Sequence, residues 1–197
     1  MDGLRERLRA ATAPCHAAVD EAYSGYALDT VEGYRGFLLA HARALVPLEE
    51  ALERAGIETL LPDWPARQRR AALAGDLQAL GVALPEVPAV ALPGEPAGLW
   101  GAAYVVEGSR MGSRMLGQRL RQAGHPWVAP ALGYLCHRLD EPLWPGFVRR
   151  LEAHAADLAP EPLLAGARQA FALFLAAASV PTPGVATPGV ATSDSPA

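Results

Sequence analysis

Apolar side chains recur at three- and four-residue steps along most of the chain, which is the spacing of one face of an α-helix. The first such stretch runs from Leu4 to Ala22 and contains a proline, Pro14. We therefore expect a kink or short break near Thr12, with Thr12 capping a second helical segment that continues through His16. No segment shows the alternation that is typical of a β-strand, so the pattern predicts an all-α fold.

Capping residues and prolines divide the rest of the pattern into further helices. A second helix is predicted to begin after Asp29, with Glu32 as its reciprocal capping partner. A third is predicted to begin at Asp63, its N-cap, and to run to about Leu80. The proline-punctuated segment 81–93 is expected to be a loop. Later helices are predicted at 98–123, 127–138, 142–157 and 161–178.

The composition changes near the end of the chain. The segment Pro183-Gly-Val-Ala-Thr187 is repeated directly as Pro188-Gly-Val-Ala-Thr192. Such a sequence buries little apolar surface, so it is expected to be disordered. The prediction is one helical domain over residues 1–179, followed by a disordered tail over 180–197.

Composition narrows the class of protein. The chain has 197 residues, 51% of them hydrophobic, and a formal net charge of −4. This balance suits one globular domain and lacks the basic excess of a nucleic-acid binder. The two cysteines, Cys15 and Cys136, have no metal-binding spacing, and neither a secretory signal nor an apolar run of about 20 residues is visible. We therefore expect a soluble, cytoplasmic protein with reduced thiols.

His16 is the first candidate for ligand chemistry. A neutral imidazole can ligate a metal through one nitrogen while the other donates a hydrogen bond that fixes the ring. A single histidine on a helix more often has a structural or surface role. Its neighbours along the chain therefore decide how it is interpreted.

Gly108 and Gly112 lie four residues apart on one face of a predicted long helix. Each costs about 0.5–1 kcal/mol relative to alanine in a helix interior. Two such costs on one face indicate a kink, close packing against another helix, or close approach of the backbone to a flat ligand.

Arginines supply candidate contacts for an anionic ligand group. Arg9 precedes His16 by seven residues, which places it two turns away on the same face of a continuous helix. Arg149, Arg150 and Arg168 are later candidates of the same kind. For each of them, exposure to solvent is the alternative.

The order of these segments resembles the haem oxygenase family, in particular the bacterial branch that often accompanies bacteriophytochromes. The segment Leu8-Arg-Ala-Ala-Thr12-Ala-Pro-Cys-His16 resembles the proximal helix of that family, and Tyr104-Val-Val-Glu-Gly108-Ser-Arg-Met-Gly112 resembles its distal helix. The resemblance spans about Leu4 to Ala178. Its other matching segments are Tyr34-Arg-Gly-Phe-Leu38, Trp64-Pro-Ala-Arg67 and Ala170-Phe171.

The resemblance implies a role for each matching residue. His16 would be the proximal iron ligand, and Gly108 and Gly112 would let the distal backbone lie against haem. Ser109 stands where animal members carry an aspartate, as in bacterial relatives that rely on ordered water. Arg9 and Tyr104 would lie near a propionate, and Phe171 near the pocket. Arg149 and Arg150 are added to the haem-binding set as cationic candidates.

The activity that the resemblance implies is oxidative opening of haem to biliverdin, carbon monoxide and Fe²⁺. Haem would be both cofactor and substrate, with O₂ and an electron donor such as ferredoxin or a flavin reductase. A bacteriophytochrome would be a partner in that branch. The alternatives are a haem carrier or sensor with the same fold and no turnover, a thiaminase-like relative, and a purely structural helical module.

Overall fold

Helices account for most of the computed structural model, which describes residues 3–181 and contains no β-strand in that range. This confirms the all-α prediction. The predicted tail lies almost wholly outside the described residues, so the domain boundary at residue 179 stays a prediction. The helices are α1 Leu4–Ser24, α2 Val31–Arg54, α3 Trp64–Arg67, α4 Arg70–Ala79, α5 Pro96–Ala123, α6 Leu143–Ala153 and α7 Pro160–Ala178, with short 3-10 helices at Ile57–Thr59 and Ala129–Ala131.

The first helix runs without a break through Pro14, so the predicted break near Thr12 is wrong. Thr12 is buried, and its hydroxyl donates to the carbonyl of Leu8 at 2.8 Å instead of capping a new segment. At the start of α1, the Glu152 carboxylate of α6 accepts the backbone N–H groups of Leu4 and Arg5 at 2.9 and 2.8 Å. This contact fixes α1 against α6.

The N-cap of the second helix lies one residue later than predicted. Thr30 is the N-cap, and its hydroxyl oxygen accepts the N–H of Gly33 at 3.0 Å, so the predicted Asp29–Glu32 capping pair is wrong. The helix then continues through Pro47 to Arg54 and carries a large share of the core.

The predicted third helix is two helices, because the chain is extended at Gln68. The buried carboxylate of Glu49, on α2, accepts the backbone N–H groups of Arg69 and Arg70 at 2.8 and 3.1 Å. A tertiary cap therefore starts α4. Asp63 makes no capping hydrogen bond; its carboxylate instead pairs with Arg67 at 2.8 Å.

Turns occupy most of the segment 127–138, which was predicted to be a helix, and only the 3-10 helix Ala129–Ala131 forms there. The Asp76 carboxylate of α4 accepts the N–H groups of Gly133 and Tyr134, both at 2.8 Å. Because these two N–H groups bond to Asp76, they are not available for helical hydrogen bonds, and the Tyr134 ring lies in the core.

Packing of α5 on α7 is unusually close, and it depends on glycine. A Cβ atom on Gly101 would lie 1.9 Å from the carbonyl oxygen of Leu163, and one on Gly166 would lie 2.0 Å from that of Gly98. Helices α1 and α2 also pack along α7, whereas α1 and α5 hardly touch each other. This arrangement leaves a space between α1 and α5.

No helix between residues 3 and 181 is both long and apolar enough to cross a membrane.

Candidate functional site

The space between α1 and α5 is a cavity of about 680 Å³. This volume lies within the range of small-molecule sites, about 300–1,000 Å³. One wall is a face of α1 and the opposite wall is a face of α5, while side chains of α2, α6 and α7 close the remaining sides. The shape is suited to a flat ligand held between two helices.

His16 lies on the α1 wall, and its Nδ1 atom is 2.9 Å from Oδ2 of Asp20, one turn further along the helix. With Nδ1 donating to the carboxylate, the neutral ring carries its free lone pair on Nε2. A hydrogen-bonded carboxylate fixes the orientation of a ligating imidazole and increases its basicity. The pair therefore has the donor chemistry of a metal ligand with its supporting partner.

Phe171 packs against His16 from α7. The two ring centroids are 5.9 Å apart in an edge arrangement, and the Phe171 side chain is buried. This contact is an apolar support for the imidazole. Phe171 also lines the cavity, where the family resemblance predicted it.

Gly108 and Gly112 both line the α5 wall, but they differ in surroundings. A Cβ atom on Gly108 would lie 3.7 Å from the Trp144 ring, whereas one on Gly112 would have no neighbour within 4 Å. No atom of residues 3–181 fills the space over Gly112. The missing side chain at Gly112 therefore leaves room for a ligand against the backbone.

Arg5, Arg9 and Tyr104 line the cavity at the end formed by the start of α1. Arg5 pairs with Glu6 at 2.9 Å, and Arg9 lies 3.7 Å from the same carboxylate with its side chain 71% exposed. Burial raises the pKa of the Tyr104 hydroxyl, so it stays protonated as a hydrogen-bond donor. This end offers two cations and one hydroxyl to an anionic group.

Arg149 and Arg150 are not brought to this cavity. Both line a separate cleft next to α3, and Arg168 lines neither space. The placement of Arg149 and Arg150 does not support the predicted contact with the ligand of His16.

Ser109 lines the cavity, and its hydroxyl is already committed. It donates to the carbonyl of Val106 at 2.8 Å and accepts from Nη2 of Arg69 at 2.6 Å. The same Nη2 atom donates to Val106 O at 2.9 Å, and Nη1 lies 3.4 Å from the hydroxyl of Ser113. Arg69 is buried, so it fixes the middle of α5 from within the core.

His41 faces the cavity from α2 and was assigned no role from the sequence. Its Nδ1 atom bonds to the carbonyl of Phe37 at 2.9 Å, which leaves Nε2 as an acceptor without a partner among the described residues. Burial, assisted by the charge of Arg69, lowers the pKa of His41 to about 3, so the ring is neutral near pH 7. The Tyr134 ring lies 5.4 Å away, and its buried hydroxyl also lacks a partner.

A buried ion-pair network holds α5 on the side of α3. Glu107, which precedes Gly108, accepts from Arg67 at 2.6 Å and from Arg110 at 2.9 Å. Arg67 also donates to the carbonyl of Leu143 at 3.0 Å, so the network ties α5 to the start of α6. These contacts fix the helix immediately before Gly108 and between Gly108 and Gly112.

Residues on both walls of this cavity were predicted as site residues from the sequence, whereas Asp20 and His41, which also line it, were assigned no role. Asp20 lines the cavity with its side chain 68% exposed, and a histidine and a carboxylate four residues apart on a helix are a recognisable pair. His41 carries no such local signal, because its burial depends on packing between α1, α2 and α7.

Comparisons with known proteins identify a relative of this chain and a structure with a similar fold. A protein of Xanthomonas campestris pv. campestris (strain 8004) named heme oxygenase is 35% identical over 144 residues, which cover 72% of this chain and 86% of that protein. The crystal structure of the NO- and CO-bound heme oxygenase from Neisseria meningitidis matches with a TM-score of 0.69 over 90% of this chain and 91% of that chain, at 24% identity. No family model matches the chain.

Proposed function

The chain belongs to the haem oxygenase family, and we infer that it opens haem oxidatively to biliverdin, carbon monoxide and Fe²⁺, using O₂ and external electrons. The observation that carries this conclusion is the position of His16 across one cavity from the bare backbone of Gly112. A ligating side chain on one wall and an open glycine on the other are what a flat iron macrocycle requires.

The residues of the cavity fit haem. His16 offers a free Nε2 atom, Gly112 leaves the opposite wall open, and the cavity has the volume of a small-molecule site. We propose that His16 would ligate the haem iron and that the Asp20 carboxylate would orient its imidazole. We propose Arg9 and Tyr104, together with Arg5, as partners of the propionates, since these charges and this hydroxyl lie together at one end.

Bound haem supplies an iron that activates O₂ and a porphyrin that is itself oxidised, and the protein supplies binding, orientation and electrostatics. The α5 wall, with Gly108 and Gly112, limits the space above the ring. The Ser109 hydroxyl is committed to Arg69 and Val106, so Ser109 fixes the wall through Arg69.

We propose that His41, which lines the cavity, and Tyr134, whose ring packs against His41, hold ordered water next to the cavity. His41 Nε2 can only accept a hydrogen bond, and the Tyr134 hydroxyl can donate one, because burial keeps it protonated. A buried water needs two to four polar partners; the Tyr134 hydroxyl has none among residues 3–181, and His41 Nε2 is left available by the bond that Nδ1 makes. Such a water would hold protons within reach of the reacting face.

The narrower assignments rest on the sequence resemblance. We propose the bacterial biliverdin-producing branch, a cytoplasmic location, and an electron donor such as ferredoxin or a flavin reductase. A bacteriophytochrome that receives the product is the partner proposed for that branch.

Reconstitution with haemin tests the function. The protein should give a Soret complex at micromolar haem, and addition of ferredoxin, its reductase and NADPH in air should replace the Soret band with biliverdin absorption and release carbon monoxide. A stable ferrous haem complex without biliverdin would instead favour the carrier or sensor. Absence of any Soret complex would reject both.

A further inference from the structure

A second cleft, of about 420 Å³, lies between α3 and α6. None of the described residues lines both this cleft and the haem cavity. Trp144 of α6 faces the haem cavity, whereas Gly146, Arg149 and Arg150 of the same helix face the cleft. The cleft is therefore a distinct space that the haem chemistry does not use.

Positive charge is in excess at this cleft. Arg67 is balanced by Asp63 at 2.8 Å and by Glu107 at 2.6 Å, and its side chain is only 2% exposed. Arg150 lies 3.7 Å from the Asp63 carboxylate, which Arg67 already holds more closely. Arg149 has no hydrogen bond or ion pair within residues 3–181.

The remaining acidic side chain on the cleft is Glu141, which pairs with Arg138 at 2.5 Å. The carboxylates at the cleft are thus each paired with an arginine. Arg149 therefore has no carboxylate partner among residues 3–181, and Arg150 has only a share of the Asp63 carboxylate that Arg67 holds more closely.

Gly146 lets two guanidinium groups approach one point of the cleft. A Cβ atom there would lie 3.6 Å from Nη2 of Arg67 and 3.8 Å from Nη2 of Arg149. The absent side chain leaves the space beside both nitrogens open. Convergent guanidinium groups are suited to the oxygen atoms of a phosphate, which they bind through charge-assisted hydrogen bonds.

We propose that this cleft binds a phosphate group, carried either by inorganic phosphate or by a small phosphate monoester. Arg67 is the fixed side of the site, and Arg149 and Arg150 are the exposed cations that close on the ligand. The volume exceeds what a single oxyanion occupies, so a monoester also fits. Because Arg67 contacts Glu107, the site adjoins the helix that forms the distal wall of the haem cavity.

Titration calorimetry of the full-length protein at fixed ionic strength tests the proposal, with inorganic phosphate and glycerol 3-phosphate as the two probes. Saturable binding is expected, and Arg149→Gln/Arg150→Gln should weaken it by about tenfold or more for at least one probe. Arg114→Gln/Arg119→Gln, which removes two exposed arginines outside both cavities, is the matched control and should leave binding unchanged. Tighter binding of the monoester would identify it as the ligand class, and equal or tighter binding of inorganic phosphate would identify the free ion.

Gly146→Leu provides a second variant that keeps every charge and fills the space between the guanidinium groups. It should abolish binding while the protein keeps its helical circular dichroism and its Soret complex with haem. Absence of saturable binding to the wild-type protein, equal loss in the Arg114/Arg119 control, or binding that survives Gly146→Leu would overturn the proposal. Each of these outcomes is independent of whether the protein turns over haem.

Discussion

The Nδ1 atom of His16 lies 2.9 Å from Oδ2 of Asp20, one helical turn away on α1. This pairing makes Nδ1 the donor and Nε2 the atom that is free to ligate iron. A carboxylate partner increases the electron density on a ligating imidazole, and outer partners of this kind influence metal affinity by about 10–100-fold. The α1 wall thus contains both the proposed iron ligand and the group proposed to orient it.

Asp20→Asn should weaken haem binding by about tenfold, because an amide keeps the size of the side chain and loses its charge. The ferrous Fe–His stretching frequency should fall, since the imidazole becomes a poorer donor. Resonance Raman spectroscopy and a haem titration measure the two effects. Glu21→Gln is the matched control, because Glu21 is an exposed neighbour outside the cavity; an equal effect in both variants would contradict the pairing.

Gly112→Ala should separate folding from haem chemistry. The added methyl group meets no protein atom within 4 Å, so the haem-free protein should gain about 0.5–1 kcal/mol in its free energy of unfolding. Haem binding and biliverdin formation should fall, because that methyl group occupies the space over the distal backbone. Gly75→Ala, at an equally open position on α4, should stabilise the protein without affecting haem. Undiminished turnover in Gly112→Ala would contradict close approach of the ring at that residue.

Arg9→Gln should increase the dissociation constant for haem several-fold, because it removes a cation from the end assigned to the propionates. Arg149→Gln should leave that constant unchanged, since Arg149 lies in the other cleft. Haem titrations of both variants at one salt concentration make the comparison, and higher salt should reduce the effect of Arg9→Gln because the side chain is largely exposed. A larger effect at Arg149 would reverse the assignment.

His41 makes the stability of the haem-free protein depend on pH. Its pKa is lowered to about 3 in the folded state. Between pH 6.5 and 3, the His41 imidazole is therefore protonated in the unfolded chain and neutral in the folded protein. The free energy of unfolding should therefore fall as the pH drops from 6.5 towards 3, by up to about 1.4 kcal/mol per pH unit from this group. His41→Gln should remove that slope, measured by urea unfolding at several pH values.

His137 provides an internal comparison for this measurement. Burial and the charge of Arg110 lower its pKa to about 4, so His137→Gln should remove a smaller part of the slope. Identical pH dependence in the wild-type protein and in His41→Gln would contradict a buried, neutral His41.

Long helices with regular apolar spacing could be predicted from the sequence, because their faces are determined by local periodicity. The limits of α5 and α7 were predicted to within two residues of Pro96–Ala123 and Pro160–Ala178. The break between α3 and α4 could not be predicted, since the carboxylate that caps α4 belongs to Glu49, about twenty residues earlier. The same holds for the turns at 127–138, which depend on hydrogen bonds to Asp76.

In the candidate site, too, some residues could be predicted from local sequence and others depend on tertiary packing. His16, Gly108 and Gly112 could be proposed from spacing and family resemblance, and the structure brings them to one cavity. Asp20 could have been found from its four-residue spacing to His16. His41 could not, because its role depends on a cavity that exists only after the helices have packed.

The most direct test of the central claim is the ferrous resonance Raman spectrum of the haem complex, recorded for the wild-type protein and for His16→Ala with and without added imidazole. We expect an Fe–His stretching band in the wild-type protein, its loss in the variant, and its return with imidazole, together with loss and partial recovery of biliverdin formation. An unchanged Fe–His band in His16→Ala would show that another residue ligates the iron and would contradict the account.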